Sequence, residues 1–272
     1  MIKKLTEDLL DDFKDFIRQH PIKMDDYFTC DKALNDFNIE DNISYLRYEN
    51  NQIIGLMTIM KAYDVRLRYA YALDDDLKDL HEACKSEVSS YKVFLEDDSD
   101  MLDIFLDLGL TVERKVYALR RKVGDIEVPS LASSYRLEEL KIPDDVETFT
   151  NIRNTAFVNL KGSRKRAPEE YLEGFQSEAY FKEGTLMLYH EDKPVAVIKG
   201  AYEDDIIFVG PIAVDPSYQG KGLGRYLLSS LIHASNNIKR DLELSVNADN
   251  EHALKLYTDL GFYVEKKVIA LI

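Results

Sequence analysis

A chain of 272 residues suits one large domain or two small ones, and its 45% hydrophobic content is enough for an ordinary core. The net charge of -15 argues against nucleic acid as a partner, because phosphate binding needs a basic footprint. No apolar run approaches a membrane span, the start of the chain lacks a signal peptide's apolar segment, and Cys30 and Cys84 match no metal spacing; a cytoplasmic protein with no bound metal and two reduced thiols is expected. The acidic runs 74–76 and 96–100 read either as solvated loops or as a field that draws in cationic amines.

In chain order, Leu5, Leu9, Phe13, Phe16 and Ile17 space out as one face of a helix. Residues 43–48 and 53–60 read as strands around a turn at 49–52. Periodicity is lost at 124–133, where small residues gather as in a linker. Residues 135–140 form the next expected strand, and Asp144 or Asp145 caps a helix reaching about Asn159. Pro168 marks the first turn of a short helix ending near Gly174. Residues 186–189 and 195–202 make a hairpin, 206–214 a further strand, and Leu223, Leu227, Leu228 and Leu231 one face of a helix. Residues 242–246 alternate as a strand before the last helical stretch and strand.

Between the strand at 206–214 and the helix at Leu223 lies Gln219-Gly220-Lys221-Gly222-Leu223-Gly224. Strand, glycine-rich loop and helix start together make a phosphate site. Glycine lets the backbone approach closely, and the first N–H groups of a helix have no partners of their own. The Walker pattern fails because Lys221 is followed by Gly222, and the spacing of Gly220, Gly222 and Gly224 fits a dinucleotide fingerprint poorly. The spacing that fits is Q-x-x-G-x-G. Downstream, residues 250–262 read N-x-x-A-x-x-x-Y-x-x-x-G-F, from Asn250 through Ala253 and Tyr257 to Gly261 and Phe262. In loop, strand order and closing signature, residues 134–272 resemble the GNAT family of N-acetyltransferases.

The chain also repeats itself. Residues 105–119 read FLDLGLTVERKVYAL and residues 257–271 read YTDLGFYVEKKVIAL, with nine of fifteen positions identical, and Ala72-Leu73-Asp74 echoes Ala213-Val214-Asp215. The expected architecture is therefore an α/β (α+β) chain of two tandem GNAT-like modules, 1–128 and 129–272, each a mixed, mostly antiparallel sheet flanked by helices. The first copy has Asp74-Asp75-Asp76-Leu77-Lys78-Asp79-Leu80 at the place of the glycine loop and Phe105 at the place of Tyr257. Carboxylates repel a pyrophosphate and every residue there carries a Cβ, so the first module is expected to lack a coenzyme A loop.

The resemblance implies acetyl-CoA as co-substrate. Its pyrophosphate would lie on the backbone of Gly220, Lys221, Gly222, Leu223, Gly224 and Arg225 after Gln219, with Lys221 and Arg225 either adding charge or simply exposed. Ile212, Ala213 and Val214 match the splayed strand that pairs with the pantetheine arm, Gly210-Pro211 fits a bulge there, and a backbone N–H near Ile212 would polarise the thioester carbonyl. Tyr257 is the candidate acid for the leaving thiolate, against the reading of a packing aromatic. Asn250 holds the pantetheine, caps the last helix, or does both. Glu203 and Asp205 are candidate bases or a polar hairpin tip, and a water relay needs neither. The basic run 161–166 is an acceptor-side anion site or a solvated loop. The expected reaction moves an acetyl or other small acyl group by direct attack of a primary amine on a small molecule or peptide. The protein would be a monomer or homodimer. Two rivals are a non-catalytic acyl-CoA-binding or interaction protein and an aminoacyl-transfer enzyme; the intact Gln219, Gly222 and Gly224 pattern argues against the second.

Overall fold

The computed structural model describes residues 1–22, 31–61 and 65–272, and the side chains of 31 and 32 are outside it, as is Cys30. The chain divides into two compact units, Met1–Val116 with Lys267–Ile272, and Tyr117–Lys266.

In the first unit, strands β1 (Ile2–Lys4), β2 (Asn42–Glu49), β3 (Gln52–Met60) and β4 (Arg66–Ala72) form an antiparallel sheet in that order. Asn50 and Asn51 take positive φ in the β2–β3 turn, a conformation that asparagine tolerates. Helix α1 (Leu10–Gln19) buries Phe13, Phe16 and Ile17 on one face of this sheet, against Leu46, Leu56 and Tyr69. After the short helix α2 (Asp31–Asn35), helices α3 (Lys78–Lys85) and α4 (Met101–Asp107) put Leu80, Cys84 and Phe105 among Met57, Ile59 and Ala70, on the other face. Burial pushes the Cys84 thiol up to about 12, as befits an inert packing residue.

The acidic loop before α3 is exposed, as the solvated-loop reading expects, and is also anchored by an ion pair. The buried Arg47 guanidinium pairs with Asp74 and lies 3.9 Å from Asp76. Among the described residues, an isolated parallel bridge from Arg66 to Lys92 joins β4 to the residue just before β5 (Val93–Glu96). The register of β3 with β4 slips between Thr58 and Ile59, leaving Arg68 as an extra residue on β4.

The repeated closing segments are β6 (Val112–Arg121) and β12 (Tyr263–Leu271). Each divides between the units. Val268–Leu271 pair antiparallel with β5, and Ile269 and Leu271 enter the core around Phe105, whereas Tyr117–Arg121 belong to the second unit. There Leu119 is buried, Arg121 Nε donates to the Leu260 carbonyl at 2.8 Å, and Arg120 pairs with Asp241 at 3.1 Å.

The second unit contains β7 (Tyr135–Glu139), α5 (Val146–Ala156), α6 (Pro168–Phe175), β8 (Tyr180–His190), β9 (Lys193–Glu203), β10 (Ile206–Val214), α7 (Leu223–Asn237), β11 (Asp241–Asn247) and α8 (Glu251–Asp259). Its strands run in the order β6-β11-β10-β9-β8-β7; β7 to β10 are antiparallel and β10 pairs with β11 in parallel. Helix α5 ends three residues before the expected Asn159, and Asp145 precedes it without capping, its carboxylate instead accepting from the Lys141 N–H at 2.9 Å. Pro168 opens α6, as its fixed φ favours. Helices α5 and α6 cover one face of the sheet through Phe149 and Phe175 against Met187, Val197 and Ala213. Helix α7 covers the other with Leu227, Leu228, Leu231 and Ile232 against Ile198, Ile207 and Leu242. The result is the mixed α/β architecture that the sequence patterns imply. Among the described residues no helix is long and apolar enough to cross a membrane.

Candidate active site

Two features of β10 create an opening in the sheet. Val209 faces Gly200 and Ile212 faces Ile198 on β9, so Gly210 and Pro211 together oppose Lys199 in a bulge. On its other side β10 pairs with β11 only from Ile206 to Phe208. Beyond that point the two parallel strands continue without a ladder between them, and the edge of β10 from Val209 to Val214 is free toward β11. Proline contributes no N–H and the bulge re-aims the strand, which explains the divergence at this place.

The opened strand leads directly to the glycine loop. Asp215 begins a short 3-10 turn (Pro216–Tyr218) and accepts from the Ser217 N–H at 2.9 Å. The Gln219 side chain donates back to the Val214 carbonyl at 3.1 Å, tying loop to strand end. Gly220 and Gly222 have φ of 77° and 78°, a region that costs a residue with a Cβ roughly 1–2 kcal/mol. Gly222 is the N-cap of α7, and the first N–H with a backbone acceptor is Tyr226, bonded to the Gly222 carbonyl at 3.0 Å. Among the described residues, none of the N–H groups from Gly220 to Arg225 has an intramolecular acceptor. They form a row of orphan donors at the positive end of a fifteen-residue helix.

Gly224 is glycine without a conformational reason. Its φ is not positive, and a Cβ there would meet only Leu256 Cδ2 at 3.7 Å, an ordinary contact. Glycine near a helix start is less stable than alanine, so the empty space above it suits something outside the chain. Lys221 Nζ lies 4.5 Å from the centroid of the Tyr218 ring and Lys193 Nζ lies 5.1 Å from it, so this tyrosine gathers two cations beside the loop. Arg225 pairs with Asp259 at 2.8 Å. Next to it is a cleft of about 610 Å³ bounded by Arg121, Glu127, Arg225 and Asp259.

Helix α8 supplies the other sequence-predicted residues. Asn250 is its N-cap and accepts from the Ala253 N–H at 3.2 Å, so the capping role is present. Tyr257 projects into the α7 side of the sheet, 6.0 Å from the Phe262 ring centroid. Crowding by protein atoms pushes its phenol up to about 12, so it is protonated across the neutral range. No hydrogen-bond partner holds its hydroxyl among the described residues.

The structure does not bring Glu203 and Asp205 to this place. They flank the tight β9–β10 turn around Asp204, exposed; Glu203 pairs with Ile206, six residues from Ile212, and Asp205 is seven residues from it, roughly 20 Å or more at strand rise. Both residues sit at the hairpin tip, the second of the two readings of their sequence position. The basic run is not a loose loop. Arg153, buried in α5, donates to the Arg164 carbonyl and at 2.9 Å to Ser163 Oγ, and Asn154 grips both the N–H and carbonyl of Arg166. Glu170 on α6 takes both Arg164 and Arg166, which hold its carboxyl at about 2. His233 and His252 are exposed, and no group of His, Cys, Asp and Glu side chains able to hold a metal occurs among the described residues.

Residues 146–262 match the sequence profile of the Acetyltransferase (GNAT) family. A mycothiol acetyltransferase of Mycobacterium sp. (strain MCS) is 30% identical over 166 residues, which cover 58% of this chain and 55% of the relative. One of Tsukamurella paurometabola is 30% identical over 181 residues, 60% of each chain. The chain thus spans about half the length of the curated relatives it matches. Among solved structures, a GCN5-related N-acetyltransferase from Sphaerobacter thermophilus superposes with a TM-score of 0.72 at 14% identity, covering 100% of this chain and 94% of that one. A tandem GNAT protein from the clavulanic acid biosynthesis pathway gives 0.67 at 9% identity, covering 100% and 98%. At these identities the two structures bear on the fold alone.

Proposed function

We propose that the second unit, whose residues 146–262 match the GNAT acetyltransferase profile, transfers an acetyl group from acetyl-CoA to a primary amine. The observation that carries this reading is the row of orphan N–H groups from Gly220 to Arg225, set where the open edge of β10 ends. Such a row accepts a pyrophosphate through several charge-assisted hydrogen bonds. The free edge from Val209 to Val214 offers peptide groups to the amides of an extended pantetheine arm, as an added strand would use them. Phosphates at the loop and an arm along this edge set the thioester near the bulge. The cleft beside Arg225 then takes the nucleotide end.

In this account the acceptor nitrogen attacks the thioester carbon, and a backbone N–H at Ile212 receives the developing oxyanion. As the carbon–sulfur bond breaks, the Tyr257 hydroxyl gives its proton to the thiolate. With the phenol at about 12 against about 8.5 for a free thiol, Tyr257 acts chiefly by hydrogen-bonding the developing thiolate, and the proton it gives up is replaced from water before the next turnover. The proton lost by the amine passes to water. Asn250 caps α8 and in this account also holds the pantetheine.

A mass-spectrometric screen of primary amines with acetyl-CoA and the full-length protein tests this. The reading expects an acetylated product whose formation needs Tyr257 and Gly222. Binding of acetyl-CoA with no amine modified would instead favour a non-catalytic acyl-CoA sensor, and no binding would refute both.

A further inference from the structure

Lys199 has no place in the mechanism above, yet its position is unusual. It lies on β9 with Val197, on the face covered by α5 and α6, whereas Ile198 faces α7. Its stem runs beside the bulge: a Cβ added to Gly210 would lie 3.4 Å from Lys199 Cβ and 3.5 Å from its Cδ. The ammonium bends over the end of α6, 5.4 Å from the centroid of the buried Phe175 ring, and a Cβ at Gly174 would lie 3.2 Å from Nζ. Among the described residues Nζ has no carboxylate partner. Burial lowers its pKa, and no neighbouring negative charge opposes that shift.

A second unpaired group flanks the same ring. Tyr180 packs on Phe175 with centroids 5.6 Å apart, opposite Ala201 in register. Its hydroxyl is out of solvent contact and has no hydrogen-bond partner. One ammonium and one phenol hydroxyl beside an aromatic floor match the two oxygens of a carboxylate. A phosphate, with more oxygens and more charge, calls for more donors.

We propose that Lys199 anchors the amine substrate by a carboxylate, with the Tyr180 hydroxyl as second donor, so that the acceptor is a compact amino acid or similar amine whose acid group lies a few bonds from the reacting nitrogen. The span is bounded by the register and the side chain together: the Lys199 backbone is opposed by Gly210 and Pro211, one strand spacing from the place where the thioester is expected, and its stem carries the ammonium only as far as the end of α6. The assignment rests on the acetyl-transfer reading for that place. It reverses the preference that net charge alone suggests, since a polyamine would bring a like charge to this ammonium.

The test follows the Lys199 Cε and Nζ signals by NMR in full-length, lysine-labelled protein, assigned by their loss in Lys199→Arg and, independently, Lys199→Met. Millimolar butyrate and its neutral isostere butyramide are the probes, added with and without coenzyme A. Butyrate is expected to raise the pKa of Lys199 by about one unit, a tenfold preference for the charged form, and butyramide to leave it unchanged. Equal responses to both probes, or none to either, would overturn the proposal. Acetyl-CoA binding by the same sample is read separately: its failure counts against the transfer reading, and the butyrate response decides on Lys199.

Discussion

Replacing Gly224 by alanine separates the needs of the fold from the needs of the coenzyme, because the two respond with opposite sign. Gly224 is the second residue of α7 and takes no positive φ. The new methyl would touch only Leu256 Cδ2 at 3.7 Å, so it fits without displacement. Exchanging glycine for alanine in a helix stabilises by roughly 0.5–1 kcal/mol, and the melting temperature of the free protein should rise by about 1–4 °C. The same methyl would stand among the orphan N–H groups. Holding an anion off a partly buried helix start costs up to about 2 kcal/mol, or about 30-fold in affinity. Thermal unfolding without ligand and calorimetric titration with acetyl-CoA measure the two effects on one preparation. A Gly224→Ala protein more stable than the parent, yet binding acetyl-CoA about 5–30-fold more weakly, is the expected outcome. Unchanged affinity would refute the phosphate assignment of the loop, since nothing within the protein forbids a side chain there.

Three further outcomes are expected. Tyr257→Phe keeps the ring beside Phe262 and removes the proton, so turnover should fall by about 100-fold or more with acetyl-CoA affinity nearly intact; a large affinity loss would remove the acid role. Glu170 is held at about 2 by Arg164 and Arg166. Because this folded value lies below the ordinary 4.5, the stabilisation is complete above about pH 4.5 and is lost as pH falls toward 2. Glu170→Gln should therefore lower neutral-pH stability by about 1–2 kcal/mol after screening of the half-exposed arginines, and flatten acid unfolding in that window; an unchanged acid profile would contradict it. A fragment 129–272 should fold poorly by circular dichroism, because it lacks the buried Leu119 and the Arg121 bond to Leu260, and its residues Val268–Leu271 lose β5. A cooperatively folding fragment with full affinity would show these strand ends to be dispensable.

What could be read from sequence, and what could not, divides along the range of the interactions. The glycine loop, the bulge at Gly210-Pro211 and the Asn250 cap are local, and each follows from residue types within a few positions of one another. The hairpin at 49–52 was equally plain, since two asparagines in sequence favour the positive φ observed there. The duplication was legible as repeated letters, but the repeat could not say which partner each closing strand takes. Val112–Arg121 and Tyr263–Leu271 have the same pattern, and only the structure divides each between the units. Arg47 against Asp74 joins residues far apart in sequence, so charge counting could not show that the exposed acidic loop is anchored. Lys199 left one faint signal, a lysine at the inward phase of an apolar strand after Val195 and Val197; periodicity marked the strand and passed over the exception. Glu203 and Asp205 were judged by nearness in sequence to β10, whereas distance along an extended strand grows by about 3.3 Å per residue and carries them away from the bulge.

The central claim is a single coenzyme site, in the second unit. Calorimetric titration of acetyl-CoA into the full-length protein tests it most directly. One molecule bound per chain, with binding abolished by Gly222→Val, is the predicted result. Two molecules per chain would mean that the first unit binds despite its acidic loop, and none would contradict the account.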